Sequence, residues 1–370
     1  MFSRFVVAFV SLPVVAMLLV GNAVAVGPDA KTYEVTVAKA VAYFETAQAD
    51  DGSFSSQVGI GPTALAAMAL LRTGRTADTP VVAKALKYLE GYVQPAGGVY
   101  PQGSRLANYE TCVALMCFKE ANADGRYDKL IKRAEAFIRG QQFTEEDGKD
   151  KSDVYYGGTG YGGESRPDLS NTAFMIEALK SAGADENDAA IQRALVFVSR
   201  CQNLETEHNT TPFAAKFNDG GFYYTPAVSE QEATRESPDG GLRSYGAMTY
   251  SGLKSMLYAG VEADDPRVKA AVAWVKKYYD VENNPGMGKA GLFYYYHTFS
   301  KALDAMGADE IEDAAGAKHD WRKELAEAIA RQQQENGSWI NTDRRWLESD
   351  PNLATAFALL SLSYCKPTGR

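Results

Sequence analysis

Basic residues, cysteines and histidines are scarce in this chain, and each shortage excludes a class of function. The 38 Lys and Arg residues are outnumbered by 47 Asp and Glu residues, so the formal net charge is -9. Nucleic-acid binding needs a basic face, so we expect no nucleic-acid partner. The four cysteines form no C-x-x-C pair and the three histidines form no cluster. We therefore expect no metal site and no cofactor.

Long apolar runs are equally rare, because the sequence has only one, at its beginning. Arg4 precedes the apolar residues 5–20, and Ala23-Val24-Ala25 provides an A-x-A cleavage site. This pattern predicts a secretory signal peptide over residues 1–25, with a retained membrane anchor as the alternative. Cleavage removes Arg4 and no acidic residue, which changes the net charge from -9 to -10. We expect a soluble, secreted or periplasmic protein without a stable membrane span.

The cysteines do not form an obvious disulfide framework in a chain expected to be exported. Cys112 and Cys117 lie five residues apart in one predicted helix, which separates their α-carbons by more than a disulfide tolerates. They are expected to be packed thiols. A pair between Cys201 and Cys365 remains open.

A repeated loop runs through residues 26–370 and predicts one domain. In each copy Gln ends a helix, glycine and an aromatic residue follow, and an alanine-rich helix begins. The aromatic is expected to pack under the next helix, and the Gln amide to bond free N–H groups at a neighbouring helix start. The copies are "QADDGSF" from Gln48, "QPAGGVY" from Gln94, a longer one from Gln141, another from Cys201, a degenerate one from Glu282 and "QQQENGSW" from Gln332.

Two kinds of helix alternate between these loops. One kind is amphipathic with charged faces, such as "YDKLIKRAEAFIRGQQ", and is expected to lie outside. The other is rich in Ala, Leu, Met and Thr, such as "GPTALAAMALL", and is expected to form an inner ring. Short connections make neighbouring helices antiparallel. The sequence therefore predicts an all-α fold, a single α/α toroid of about six inner and six outer helices around a central cavity.

The repeats and the inner helices resemble those of the prenyltransferase and squalene-cyclase repeat family, whose fold is the α/α toroid. Its class II terpene cyclases carry D-x-D-D-T-A, and the resemblance implies that the acid at the third position protonates the substrate. The corresponding string here is "DLSNTA". It keeps Asp168 but has Ser170 and Asn171 where two carboxylic acids are expected. A hydroxyl and an amide cannot protonate an alkene at a useful rate, so the initiating step is absent from this motif.

The protein prenyltransferases of this family bind zinc through Asp, Cys and His. The resemblance places His297, in "YYYHTFSKAL", at the histidine ligand position. No acid or thiol occurs between Arg243 and Leu253, where the other two ligands are expected. Glu110-x-Cys112 has suitable chemistry but belongs to another repeat. One ligand does not hold zinc, so no metal site is expected.

Two loops, residues 143–167 and 203–243, are too long to be simple connections and are called the rim loops below. Both precede inner helices, so both rise from the same rim of the toroid, where long loops often form lids or binding surfaces. Tyrosines, carboxylates and arginines in them are typical of polar ligands, or of a solvated rim. The ligand-binding candidates in these loops and next to the following repeat are Tyr156, Tyr161, Glu164, Tyr223, Arg243, Tyr295 and Tyr296.

Residues that open the inner helices are expected at the cavity mouth, because helix starts offer free N–H donors. The same residues can simply cap helices. The catalytic candidates are Asp168, Ser170, Asn171 and His297, and further ligand-binding candidates are Tyr109, Glu110, Tyr245, Asp350 and Asn352.

We interpret the chain as a secreted toroid that lacks both active sites of the family. It is expected to bind a small molecule, a glycan or a protein at its rim. One alternative is a polysaccharide hydrolase or lyase that uses paired rim carboxylates, taken from Glu164, Asp168, Glu232, Glu236 and Asp239. The other is a divergent terpenoid cyclase or transferase with its acid elsewhere.

Overall fold

The computed structural model describes residues 26–367, so the predicted signal peptide lies outside the described residues. Fourteen α-helices occur in this part of the chain. They are α1 (Ala30–Ala47), α2 (Gly61–Arg72), α3 (Pro80–Glu90), α4 (Ala107–Glu120), α5 (Asp128–Arg139), α6 (Leu169–Ala182), α7 (Ala189–Arg200), α8 (Ala214–Phe217), α9 (Glu230–Glu236), α10 (Gly246–Tyr258), α11 (Pro266–Lys277), α12 (Leu292–Ala305), α13 (Trp321–Arg331) and α14 (Pro351–Leu362).

Six helices form a closed inner ring. Helices α2, α4, α6, α10, α12 and α14 each pack against the next, and α14 packs against α2 to close the ring. Helices α1, α3, α5, α7, α11 and α13 form the outer layer, with α3 against α2 and α11 against α10 as examples. The predicted all-α toroid, with its alternation of inner and outer helices, is confirmed.

Burial explains the two helix compositions. The outer helix α5 buries only Ile131, Ala134 and Ile138, a single stripe at spacings of three and four residues. The inner helix α14 is buried continuously from Leu353 to Leu362. An inner helix faces the ring on one side and the outer layer on the other, so it needs apolar or small residues around its whole circumference.

The two rim loops are the longest connections between helices of the described residues. The second rim loop contains the short helices α8 and α9. Strand pairing in residues 26–367 is limited to isolated bridges and one two-stranded hairpin, β1 (Ile311–Glu312) with β2 (Lys318–His319). None of the helices in this part of the chain is both long enough and apolar enough to cross a membrane. The four cysteines are buried free thiols, and Cys201 and Cys365 do not pair.

A glutamine fixes the repeated loop in the same way in several of its copies. Gln48 Nε2 donates to Gly52 O within its own loop (3.0 Å) and to Val81 O in the first turn of α3 (2.8 Å). The same pair of bonds recurs at Gln142, Gln202 and Gln333. The expected bond from the Gln amide to free N–H groups is therefore wrong: the amide NH₂ group donates to backbone carbonyls.

The loop glycine lies directly against the backbone of an outer helix. A β-carbon on Gly52 would lie 2.4 Å from Lys84 O, and one on Gly337 would lie 2.3 Å from Lys39 O. Both glycines have positive φ, +90° and +89°, which favours glycine. Because Lys39 belongs to α1 and Gly337 to the last repeat, this contact also closes the outer layer.

Replacing Gly337 with alanine is expected to destabilise the fold by about 1–2 kcal/mol for the left-handed backbone and about 1–3 kcal/mol more for the overlap with Lys39. Gly74 is the matched control, because its φ is +92° and no atom lies within 4 Å of its β-carbon position. Gly74→Ala should carry only the backbone cost. Urea unfolding of both variants measures the difference, and equal losses would show that the close contact with α1 contributes nothing.

Candidate functional site

A cavity of about 360 Å³ opens at the amino-terminal ends of the inner helices. Its size is at the lower end of the ~300–1,000 Å³ typical of small-molecule pockets. Apolar and aromatic side chains dominate its wall. The lining residues are Val58, Pro62, Leu106, Tyr109, Tyr161, Ser170, Asn171, Phe174, Tyr224, Tyr245, Ala247, Met248, Asn284, Gly291, Tyr294, Trp346, Leu347, Glu348, Leu353 and Phe357.

An arc of aromatic rings from four inner helices forms much of this wall. Phe174 on α6 packs edge-on against Tyr109 of α4 at 5.3 Å between ring centres. It also stacks on Tyr294 of α12 at 6.2 Å, and Tyr294 packs against Phe357 of α14 at 5.7 Å. Such ring pairs hold the wall rigidly. Their faces suit an apolar or aromatic ligand.

The position where the cyclase acid is expected lies on this wall. Ser170, in the first turn of α6, forms a hydrogen bond of 2.8 Å with the hydroxyl of Tyr294. Burial raises the pKa of Tyr294 to about 12, so both groups are neutral hydroxyls at physiological pH. This position of the wall therefore carries no acid.

Asp168 caps α6 and does not line the cavity. Its carboxylate accepts from the Asn171 backbone N–H (2.8 Å) and from Asn171 Nδ2 (2.7 Å). The side chain is 2% exposed. Burial raises the pKa of Asp168 to about 6, although the bonds from Asn171 and the interaction with Tyr224 oppose this rise. Its oxygens already accept hydrogen bonds that hold the start of α6, so Asp168 has a structural role.

A second buried acid, Glu348, lies in the cavity wall and binds the start of α12. Its carboxylate accepts from the backbone N–H groups of Phe293 (3.2 Å) and Tyr294 (2.7 Å), and from Asn341 Nδ2 (2.8 Å). Burial raises its pKa. Because three donors point at this carboxylate and one helix amino terminus favours its charge, Glu348 stabilises the helix start.

Just before Glu348, Trp346 and Leu347 form an exposed apolar edge of the cavity. They are 46% and 51% exposed. Both have left-handed backbone, with φ of +55° and +63°, a conformation that costs about 1–3 kcal/mol in residues other than glycine. Gly291 permits the approach of Trp346, whose ring carbon would lie 2.8 Å from a β-carbon there. The strained turn places two apolar side chains at the entrance.

The structure brings five of the sequence-predicted residues into the cavity wall. Tyr109, Ser170 and Asn171 come from inner helices, Tyr245 immediately precedes α10, and Tyr161 comes from the first rim loop. Burial raises the pKa of Tyr109, Tyr161 and Tyr245. Their hydroxyls are therefore neutral hydrogen-bonding groups.

Three candidates expected at the cavity mouth have structural roles instead. Glu110 accepts from the Ile60 N–H (3.0 Å) and the Ser104 hydroxyl (2.6 Å), so it fixes two loops. Asp350 caps α14 through the N–H groups of Asn352 and Leu353. Asn352 donates to Ser55 Oγ. These polar side chains turn toward their own helix starts and neighbouring loops, and none of them lines the cavity.

Most tyrosines of the predicted belt also point away from the cavity. Their hydroxyls donate to protein acceptors: Tyr156 to Glu145, Tyr223 to Arg200 O, Tyr295 to Asp280 O and Tyr296 to Val281 O. All four are buried and fix loops to the toroid. Glu164 and Arg243 are exposed on the rim loops.

The rim carboxylates proposed for glycoside chemistry do not line the cavity within the described residues. Glu232 forms an ion pair with Arg166 at 3.0 Å and caps α9 through Ser229. Glu236 accepts from the backbone N–H of Arg243 at 2.8 Å. These acids hold the second rim loop in place.

His297 lies beneath the cavity and not in its wall. It is 1% exposed, and neither ring nitrogen has a hydrogen-bond partner among the described residues. Its ring packs on Phe357 at 5.5 Å. Burial and the positive charges of Lys301, Lys254 and Arg72 lower its pKa well below 6.5. His297 is therefore a neutral imidazole inside the inner ring. Among the described residues, no three metal-binding side chains converge on one point.

A buried ion cluster crosses the inner ring in the same region. Glu177 on α6 forms ion pairs with Lys254 on α10 and with Lys301 on α12. Each of the three side chains is at most 5% exposed. One carboxylate thus serves two ammonium groups from two other inner helices.

Several wall residues escaped the sequence analysis. Phe174 and Phe357 follow Ser170 and Leu353 by four residues. Residues four apart lie on the same face of a helix, so this spacing predicts both of them in the cavity wall. The positions of Trp346 and Leu347 depend on a left-handed turn that contains no glycine, so the sequence does not predict it.

Comparisons with known proteins agree with this architecture. Residues 55–225 match the family model of the squalene-hopene cyclase C-terminal domain. The type II terpene cyclase MstE from Scytonema superposes with a TM-score of 0.55 at 15% identity, over 90% of this chain and 98% of that one. The chain has the α/α-toroid fold of the type II terpene cyclases. The resemblance to the prenyltransferase and squalene-cyclase repeat proteins is confirmed at this level.

The same fold also occurs with other activities. A D-mannose isomerase gives a TM-score of 0.55 at 14% identity, over 91% of this chain and 97% of that chain. A second structure of the terpene cyclase MstE, a variant in complex with its substrate geranylgeranyl dihydroxybenzoate, gives a TM-score of 0.56 at 15% identity, over 91% of this chain and 98% of that chain. No curated protein sequence matches the chain. At such low identity, the likeness to these structures establishes only the fold. The function therefore has to be argued from the cavity.

Proposed function

We propose that the protein binds one apolar molecule of terpenoid size inside the toroid cavity and holds it without cyclising it. The observation that carries this proposal is the aromatic wall around Ser170, a position where a terpene cyclase has its acid. Rings of Tyr109, Phe174, Tyr294 and Phe357 provide the contact surface for a hydrocarbon.

The entrance supports the same proposal. Tyr161, Trp346 and Leu347 line the cavity and are 39%, 46% and 51% exposed. Large apolar side chains exposed around an opening favour an apolar ligand over a glycan. The apolar wall thus continues from the interior to the surface, so a hydrocarbon can enter the cavity along apolar side chains.

Cyclisation is not part of the proposal because neither buried acid near the cavity suits a proton donor. Asp168 accepts two hydrogen bonds from Asn171. Glu348 accepts from two backbone N–H groups and one amide. These bonds occupy the oxygens that would have to carry the proton and hold both acids at helix starts, and Asp168 does not line the cavity.

We further propose that this binding takes place outside the cytoplasm, with a small molecule as the partner. Support comes from the sequence of residues 1–25, which has the pattern of a secretory signal peptide. Fractionation of cells that express the full chain tests this proposal, since the protein should appear in the extracytoplasmic fraction and begin near residue 26.

Native mass spectrometry tests the binding directly. The purified protein should take up one equivalent of farnesol or geranylgeraniol, and maltohexaose should not bind. Because Trp346 lines the cavity, binding should also change the tryptophan fluorescence. Incubation with squalene or geranylgeraniol, followed by extraction and gas chromatography, should return both compounds unchanged.

Two results would contradict the proposal. Absence of binding for every isoprenoid would remove the terpenoid ligand. A cyclised product that disappears in Glu348→Gln would show that an acid outside the altered motif initiates catalysis. The heat-denatured protein is the control for both measurements.

A further inference from the structure

The Asn171 side chain carries a polar atom that the protein leaves without a partner. Asn171 lines the cavity and is 1% exposed. Its Oδ1 accepts no hydrogen bond from any of the described residues. Buried polar atoms are nearly always hydrogen-bonded, and each exception calls for an explanation. A ligand that donates a hydrogen bond in the cavity would supply the missing partner.

The orientation of this amide is fixed by its neighbour. Asn171 Nδ2 donates to Asp168 Oδ2 at 2.7 Å, and the Asn171 backbone N–H donates to Asp168 Oδ1 at 2.8 Å. A carboxylate accepts and cannot donate, so the NH₂ group has to face Asp168. The carbonyl oxygen is therefore the polar atom of Asn171 that remains for a bound molecule.

The same cavity wall also contains hydroxyl donors, at Ser170 and Tyr294. Ser170 and Tyr294 bring two hydroxyl hydrogens, and their mutual bond of 2.8 Å uses one of them. The other hydrogen is available to a neighbouring oxygen. An alcohol can donate to Asn171 and accept from the Ser170 and Tyr294 pair, which satisfies both of its hydrogen-bonding functions.

An amine fits this position less well than an alcohol. The carboxylate of Asp168 already accepts from Asn171 and interacts with Tyr224. Its oxygens are thus already occupied by donors, and burying an ammonium group costs far more than burying a hydroxyl.

We propose that the cavity selects a terpenoid alcohol, whose hydroxyl donates to Asn171 Oδ1 while its hydrocarbon part packs against the aromatic wall. This inference rests on the function proposed above and names the chemical class of the ligand. A hydrocarbon of the same length leaves Oδ1 unpaired, and an ether accepts but cannot donate.

Four ligands of one chain length test the inference: farnesol, farnesyl methyl ether, farnesene and farnesylamine. In titrations followed by tryptophan fluorescence, farnesol should bind at least about tenfold more tightly than the ether or the hydrocarbon, which corresponds to one buried hydrogen bond. Asn171→Ala should reduce this preference to about twofold or less, while farnesene affinity stays within about threefold. Ser170→Ala should reduce the preference only in part.

The outcomes separate the two proposals. Equal binding of alcohol, ether and hydrocarbon by the wild-type protein overturns the inference and leaves terpenoid binding in place. Tighter binding of farnesylamine than of farnesol overturns it as well. Failure of all four ligands to bind overturns both proposals. The wild-type comparison decides the matter even if Asn171→Ala does not fold.

Discussion

Glu177→Gln is expected to lower the free energy of unfolding by about 3–5 kcal/mol, the cost of removing one partner from a buried ion pair. The substitution keeps the shape of the side chain but removes the carboxylate that pairs with both Lys254 and Lys301. Burial, with Lys301 nearby, lowers the pKa of Lys254, and burial lowers that of Lys301 to about 8. Without Glu177, both amines would have to lose their protons or remain as unpaired buried charges.

Two further variants show whether the loss of stability comes from unpaired charges in the buried cluster. Glu135 pairs with Arg139 on the surface of α5 and is 27% exposed, so Glu135→Gln should cost less than about 1 kcal/mol. The triple variant with methionine at positions 177, 254 and 301 should recover much of the lost stability, because apolar side chains can replace a buried ion cluster without unpaired charge. Urea unfolding measures all three. Similar small losses in both glutamine variants would show that the buried cluster is not a structural centre.

Ala247→Trp is expected to weaken ligand binding by at least about 100-fold, or ~2.7 kcal/mol. Ala247 is the second residue of α10, lines the cavity and is 2% exposed. An indole at this position would occupy space that the ligand needs, and ligands of such pockets bury ~70–90% of their surface. The backbone N–H of Ala247 keeps its bond to Asn284 Oδ1 at 3.0 Å, so the helix start should persist.

Ala136→Trp is the matched control for the blocked cavity. Ala136 lies on the exposed face of the outer helix α5, so the added indole should leave the affinity for farnesol unchanged. Circular dichroism should show helical content close to the wild type in both variants. Unchanged farnesol affinity in Ala247→Trp would place the ligand outside this cavity.

The repeat pattern was sufficient to predict the toroid because four of its six loops share one geometry. The glutamine and glycine of "QADDGSF" fix the loop to α3, and the equivalent residues of "QQQENGSW" fix the last loop to α1. The number of repeats in the sequence therefore gives the number of helix pairs in the toroid. The bonding partner of the glutamine was predicted wrongly, because an amide offers both a donor and an acceptor and sequence does not tell which one is used.

The site was predictable only in part, since a helix start can serve the cavity or the helix itself. Ser170 and Asn171 face the cavity, whereas Asp168 and Asp350 accept from N–H groups of their own helices. Both uses favour the same residue types. The strained turn at Trp346 and Leu347 depends on tertiary contacts that no local pattern reveals.

The first and last described residues lie close together, which has a consequence for the order of the repeats along the chain. A β-carbon at Gly27 would lie 3.4 Å from the Pro367 α-carbon, and Gly27 N donates to Asp320 Oδ2 at 2.8 Å. Residues 27 and 367 are thus neighbours in space, and a few linking residues would join them without disturbing a helix. Every repeat already packs against a repeat on each side, because α14 contacts α2. A circularly permuted chain, opened at an exposed turn such as that of Gly74, would keep the same set of packed helices, so the toroid does not depend on which repeat is synthesised first.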